Sequence, residues 1–436
     1  MEKWLARRVV EASRQQPAVA ALSLDERLDR AHRSRVGLAE AGPGIVNAAV
    51  GEARMPRKFV ERELESALLL IDALPEFAAA LRPRRLPATS GTTVLEWRPY
   101  GVVLGLHSAN SPIWVPTVVS MSALVAGNAV VCRPSSRVAC TSSQVLAALG
   151  AAWPAGALAI ATCDRGAVRS LLLAAEVDVI VAHASTVTCK AHLATLAAGY
   201  ADGAVLRPYI PEASGNDALM VLPGADIRAA AAAIALGAFA NAGQLCFSAK
   251  RILVHRTLWR ELEPALVDSV AALVIGDPAD PATDLAGRID GDQSVAEAAF
   301  AAALAAGGRL VVGRVPAPGE TVPRLVLLPR EALTQLDLWR REIFAPIRGI
   351  ALVDDAADAI ALANDTPFGI GVSVFGGQPE DHRRIGDAVR VARLLINESP
   401  LYQDPHLVVG GVRDSGYGGA RPKLEQLAYA RRVHTA

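Results

Sequence analysis

Lysine is scarce in this sequence, with five in 436 residues, and so are cysteine, also five, and aromatic residues, at 5%. Each scarcity excludes something. Of the 44 basic residues 39 are arginine, and 44 acidic residues balance them to a formal net charge of +0, so the chain carries no electrostatic footprint for nucleic acid. Cys132, Cys140, Cys163, Cys189 and Cys246 form no CxxC pair, which argues against a zinc ribbon and a disulfide framework and fits a reducing compartment. His183, Cys189 and His192 lack a fourth partner, so no metal site is expected. Long apolar runs are missing as well. The most apolar stretch, residues 115–131, is broken by Pro116, Gly127 and Asn128, and it falls short of the roughly 20 residues a spanning helix needs. The N-terminal "MEKWLARRVVEASRQQ" mixes Glu2 and Glu11 with its basic residues and does not read as a signal peptide. A cytoplasmic protein without membrane or nucleic-acid partners is the expectation. The dinucleotide fingerprint GxGxxG is absent too, and so is the nucleophile elbow GxSxG.

What is present is apolar patterning, with 52% hydrophobic residues in a chain long enough for two domains. Residues 24–82 carry helical periodicity, opened by a Ser23/Glu26 capping-box pattern. A hairpin-like segment at 86–99 follows. From Tyr100 to Ser185 short apolar strands alternate with helices, the order of a doubly wound parallel sheet, and a second α/β unit begins near residue 215. The fold class is therefore α/β. The expected domains are a cofactor-binding one (1–83 and 100–214), a catalytic one (215–418), and small elements at 84–99 and 419–436.

A lone cysteine is usually a small buried hydrophobe, and Cys132 and Cys163, inside apolar strand runs, read as core. Cys246 differs. Asp226 can cap a helix over 227–240, the helix ends near Asn241–Gly243, and the thiol follows on a turn before a strand, in "FANAGQLCFSAKRILVH". Placement alone leaves both a surface thiol and a nucleophile open.

The segment resembles the aldehyde dehydrogenase superfamily, whose nucleophile motif N-x-G-Q-x-C is matched by Asn241, Gly243, Gln244 and Cys246. Other segments resemble it in order: "LHSANSPIW" with the oxyanion asparagine as Asn110, "VVCRPSSR" at the ribose-binding position, "AHASTVTC" as the turn over the pyrophosphate, "PEASGND", which supplies Glu212, "REIFAPI" with Glu342 and Phe344, "NDTPFGIGVSVF", and "GGVRDSGYGG". The resemblance implies a Rossmann-type cofactor domain, an α/β catalytic domain, and oligomerisation through the hairpin and the last strand, as a homodimer or homotetramer. It also implies NAD or NADP as cofactor, bound by Arg133, Ser136, Ser185, Glu342 and Phe344, with Cys246, Glu212 and Asn110 as catalytic residues. Three of these roles have a plain alternative: Asn110 beside Ser-Pro could end a strand, Glu212 could be a solvated loop carboxylate, and Phe344 a core aromatic.

In this chemistry Cys246 attacks an aldehyde, donors stabilise the oxyanion, and Glu212 activates water against the thioester. The sequence departs from the family at Arg133, which replaces a lysine, and at Ser136, which replaces the ribose-binding glutamate and removes a charge that would repel a 2′-phosphate. Two other readings stand beside aldehyde oxidation to the acid. One is a CoA-acylating dehydrogenase, with CoA or another thiol as acyl acceptor; the other is a catalytically silent scaffold on the same fold.

Overall fold

A computed structural model of the protein describes residues 3–287, 289, 293–317, 319–407, 410–417 and 424–435. The chain divides into two compact units, one of residues 1–53, 61–212 and 420–436, the other of residues 54–60 and 213–419.

The first unit opens with α1 (Lys3–Ala20), whose Leu5, Val9 and Ala12 recur at helical spacing and are fully buried. Ser23 then starts α2 (Leu24–Ala53) with the capping box foreseen in the sequence. The Glu26 amide donates to Ser23 Oγ at 3.2 Å, and the Glu26 carboxylate accepts from the Ser23 amide at 2.7 Å. After α3 (Arg57–Ala78), β1 (Arg84–Leu86) and β2 (Thr92–Pro99) pair antiparallel. Strands and helices then alternate: β3 (Val102–Leu106), α4 (Trp114–Val125), β4 (Ala129–Arg133), α5 (Ala139–Gly150), β5 (Leu158–Ile160), α6 (Val168–Leu172), β6 (Val179–His183), α7 (Thr186–Ala201) and β7 (Tyr209–Glu212). The five parallel strands lie in the order β5-β4-β3-β6-β7. Chain order reverses between β3 and β6, which creates a crevice at their carboxyl ends where such sheets bind ligands.

The second unit holds β8 (Asp217–Val221), α8 (Ile227–Phe239), β9 (Ala249–His255), α9 (Trp259–Ala271), α10 (Ser294–Ala305), β10 (Arg309–Val312), β11 (Arg324–Leu327), α11 (Asp337–Arg340), β12 (Ile347–Val353), α12 (Ala356–Asn364), β13 (Gly371–Phe375), α13 (Pro379–Ala388) and β14 (Arg393–Ile396). Its sheet runs β10-β11-β12-β9-β8-β13-β14, with β10 antiparallel to β11 and the rest parallel. Period-two alternation splits the core cleanly. Ala218 and Met220 of β8 face one cluster with Trp339, while Leu219 and Val221 face another with Phe239. The last strand, β15 (Ala428–Thr435), pairs with the whole of β2 in the first unit, from Ala428 opposite Pro99 to Thr435 opposite Thr92.

All five cysteines are free thiols, and Cys132 is buried in β4. Cys163 is not a strand core residue: it stands half-buried on the loop after β5, a strand that ends at Ile160. Among the described residues no helix is long and apolar enough to cross a membrane, and no group of His, Cys, Asp and Glu could hold a metal ion.

Candidate active site

In the first unit Asn110, Arg133, Ser136, Ser185 and Glu212 all fall at the carboxyl ends of parallel strands. Arg133 ends β4 and Glu212 ends β7; Ser136 is exposed on the turn after β4, and Ser185 caps α7 by accepting from the Thr188 amide at 3.3 Å. Asn110 and Ser185 follow β3 and β6, the two strands at the reversal of order. The loop carrying Asn110 is held by Glu63, a buried carboxylate on α3 that the sequence reading missed. Glu63 Oε1 accepts from Ser111 Oγ at 2.8 Å, from the Ile113 amide at 3.0 Å and from the Trp114 amide at 2.9 Å, which also caps α4. Burial pushes the Glu63 carboxyl up to about 7 against the pull of those three donors.

The crevice suits a polar dinucleotide. His107, just after β3, has both ring nitrogens buried without a partner; His183 Nδ1 at the end of β6 and Arg133 Nε at the end of β4 are in the same state. Burial pushes His107 down to about 3, with His183 and Arg133 adding to it, and His183 down to about 4, so both imidazoles are neutral. Unpartnered donors and acceptors at a switch point are what a phosphate or ribose would satisfy. Arg133 itself is partly committed, because its Nη2 donates to the Cys163 carbonyl at 2.8 Å.

In the second unit the N-x-G-Q-x-C motif has a mechanical explanation. After α8 the chain takes positive φ at three successive residues, Asn241 (50°), Ala242 (53°) and Gly243 (73°). Such a run is costly for L-residues and needs outside support. Arg348, fully buried, supplies it: Nη2 donates to the Gly243 carbonyl at 3.0 Å and to Ser248 Oγ at 3.2 Å, while Nη1 donates to the carbonyls of Ile343 (3.1 Å), Ala345 (2.7 Å) and Ile347 (2.8 Å). A Cβ at position 243 would come within 2.9 Å of the Ala345 carbonyl carbon, so glycine is required there for space as well as for φ. Gln244 ties the turn on both sides, with Nε2 donating to the Asn241 carbonyl at 2.9 Å and Oε1 accepting from the Ile289 amide at 3.1 Å.

Cys246 then stands half-buried beside the apolar side chains of Leu245, Phe247, Ile370, Phe59 and Leu401. Behind it, Lys250 is 2% exposed at its side chain and lies 3.6 Å from Glu342 Oε1. The same Glu342 oxygen accepts from the Gly215 amide at 3.0 Å, so Glu342 joins the surroundings of Cys246 directly. Phe344 is half-buried, with Lys250 Nζ 5.9 Å from its ring centroid. The segment after Glu212 is fixed by Ser415, which accepts from Gly369 N–H at 3.0 Å and donates to the Ser214 carbonyl at 2.6 Å. Gly418 and Gly419 of the same C-terminal motif lie outside the described residues.

These groups sit at the amino edge of the second sheet: Gly215 precedes β8, Cys246 precedes β9, and Glu342 precedes β12. The structure thus gathers Asn110, Arg133, Ser136, Ser185 and Glu212 along one strand edge of the first unit, and Cys246, Glu342 and Phe344 in one cluster of the second. Lys250, Gly215, Arg348 and Glu63 were missed. Lys250 did leave a signal, since lysine is rare here and this one stands four residues after the cysteine in an apolar strand.

A model of the aldehyde dehydrogenase family matches residues 2–433. Among curated relatives, succinate-semialdehyde dehydrogenase (NADP(+)) 1 of Mycobacterium bovis is 30% identical over 332 residues, covering 74% of this chain and 69% of its own. The succinate-semialdehyde dehydrogenase (NADP(+)) of Mycobacterium leprae is 29% identical over 384 residues, covering 86% and 79%. Of solved structures, glyceraldehyde-3-phosphate dehydrogenase from Methanocaldococcus jannaschii complexed with NADP superposes with a TM-score of 0.91 at 20% identity, over 99% of this chain and 94% of that one. Aldehyde dehydrogenase 21 from Physcomitrella patens, in complex with succinate, superposes with a TM-score of 0.89 at 20% identity, over 98% and 89%. At these identities the two structures speak for the fold.

Proposed function

From the premise that the chain belongs to the aldehyde dehydrogenase family, and is an NAD(P)-dependent oxidoreductase that turns an aldehyde into a carboxylic acid, we propose that Cys246 is its nucleophile, with Asn110 and Glu212 as its catalytic partners. Cys246 Sγ adds to the aldehyde carbon and forms a C–S bond. The Asn110 amide and the Cys246 backbone N–H are the donors for the resulting oxyanion, and losing one such donor typically costs about 10²–10³ in rate. A bound nicotinamide would supply the acceptor for the hydride that leaves the aldehyde carbon. Glu212 then takes a proton from water as that water attacks the thioacyl carbon, the C–S bond breaks, and Cys246 is regenerated, a general-base role worth about 10²–10⁴. The observation that carries this reading is the turn at 241–243, a costly conformation held by Arg348 whose effect is to present Cys246. Glu212→Gln tests it. A burst of reduced cofactor, one equivalent per site, should be followed by slow turnover; turnover that depends on added CoA and yields a thioester would favour the acylating alternative.

For the cofactor we infer NADP in preference to NAD. The curated relatives are named for NADP, position 136 carries no carboxylate, and Ser136 and Arg137 are both exposed on the turn after β4. Arg133, with one nitrogen on Cys163, is the less available partner for a 2′-phosphate. For the substrate, the apolar side chains around Cys246 favour an aldehyde with a hydrocarbon segment next to its carbonyl. Succinate semialdehyde, for which the relatives are named, meets that description. The outer edge of β15, which pairs with no other strand among the described residues, and the β1–β2 pair are proposed as the homo-oligomer contact, and five free thiols support a cytoplasmic location.

A further inference from the structure

Lys250 is buried beside the proposed nucleophile, and it touches both the Cys246 main chain and the Glu342 carboxylate. Its Nζ donates to the Cys246 carbonyl at 2.8 Å and to the Leu245 carbonyl at 2.7 Å. The third direction faces Glu342 Oε1, 3.6 Å away, in an ion pair whose side chains are 2% and 12% exposed. Glu342 Oε1 in turn accepts from the Gly215 amide at 3.0 Å, and the Gly215 Cα packs on the Cys246 main chain so closely that a Cβ would lie 3.2 Å from the Cys246 carbonyl carbon. The four residues form a closed ring. A buried ammonium is expensive unless paired and fully hydrogen-bonded, and an apolar side chain of similar volume would serve packing better. The charge therefore calls for a functional account.

We propose that Lys250 is a positioning residue for aldehyde oxidation: its ammonium locks the Cys246 main chain to the Glu342 carboxylate, and its charge favours the thiolate of Cys246. This rests on the reading of Cys246 as nucleophile. A cation beside a thiol stabilises the thiolate, which is the attacking form. The other charged groups facing this cluster are Asp217 at the start of β8, Arg348 in β12 and Arg393 at the start of β14. Burial lowers the Lys250 ammonium from its ordinary value, while Glu342, Asp217 and Cys246 hold it up. Because Glu342 sits between Lys250 and its proposed ribose-binding task, loss of the ammonium frees the carboxylate from its frame. The signature is therefore double, at the thiol and in cofactor affinity.

The experiment follows alkylation of Cys246 by iodoacetamide against pH in the full chain, read at the Cys246 peptide by mass spectrometry, alongside the kinetic constants. In Lys250→Met the alkylation midpoint should rise by about one pH unit, equivalent to about tenfold less thiolate at neutral pH. The KM for the nicotinamide cofactor should rise about tenfold, beyond any change in the aldehyde KM. In Glu342→Gln, where the ammonium keeps its charge but loses its counterion, the midpoint should move down. Opposite shifts cannot both come from loss of structure, and the Glu342 variant alone decides the matter if Lys250→Met is insoluble. A wild-type alkylation profile in Lys250→Met, or an upward shift in Glu342→Gln, overturns the proposal while leaving the nucleophile assignment intact. Full activity in Cys246→Ala would instead remove the reading on which it rests.

Discussion

Gly215→Ala should cost activity far out of proportion to one methyl group. The added Cβ would meet Ile370 Cδ1 at 2.7 Å and the Cys246 carbonyl carbon at 3.2 Å, and it would come closest to the Cys246 carbonyl oxygen. Ordinary carbon contacts lie at about 3.5–4.0 Å. The Ile370 methyl can rotate away, but the Cys246 carbonyl is main chain and is held by Lys250. Relief therefore requires the Cys246 backbone to retreat by about 1 Å, and a displacement of that size in a reacting group typically costs about 10² in rate. The overpacking itself costs about 1–3 kcal/mol of stability, so thermal unfolding should move down by a few degrees while the protein stays folded. The assay is kcat for aldehyde oxidation, with the alkylation rate of Cys246 and the unfolding temperature measured on the same preparation. A variant within twofold of wild type in kcat, with unchanged thiol reactivity, would refute a functional role for the contact between Gly215 and the Cys246 main chain.

Glu63→Leu removes the acceptor for three donors at the Asn110 loop, and it should cost on the order of 3 kcal/mol in denaturant unfolding and lower kcat, whereas Glu63→Gln keeps an acceptor and should lose less of both. With the folded carboxyl at about 7 and its ordinary value 4.5, the folded protein holds the extra proton between those limits. Its stabilising contribution is thus full below about pH 4.5 and lost as pH rises through 7; thermal unfolding from pH 5 to 8 should fall more steeply in wild type than in Glu63→Gln. Arg348→Met should uncouple the turn at 241–243, costing about 3–5 kcal/mol in denaturant unfolding. Ser136→Glu should move the ratio of kcat/KM for NADP over NAD toward NAD by an order of magnitude or more, and an unchanged ratio would exclude position 136 from cofactor choice.

Much of the architecture was legible because it is written locally. The alternation of apolar strands and helices, the Ser23/Glu26 capping box and the Asp226 cap at α8 each involve residues within one or two turns of each other, and all three form as read. The antiparallel β10–β11 pair was not, since two short apolar runs look alike whichever way they pair. Nor was Cys163, which the apolar run before it placed in a strand that ends three residues sooner. For the site, the named motifs pointed to candidate residues but not to what supports them. Arg348 reaches Gly243 across 105 positions and Glu63 reaches Ser111 across 48, so neither contact leaves a periodic trace. Lys250 was hidden differently: its strand is buried, and an alternation rule assigns an apolar partner where the chain has placed an ammonium against a carboxylate.

The central claim, that Cys246 forms the bond to substrate, is tested most directly by intact-protein mass spectrometry after mixing the enzyme with aldehyde and oxidised cofactor. Using Glu212→Gln to slow deacylation, one acyl adduct per chain should accumulate on the peptide containing Cys246, and introducing Cys246→Ala into that variant should abolish both adduct and turnover. An acyl adduct or sustained turnover in a folded protein lacking Cys246 would contradict the account.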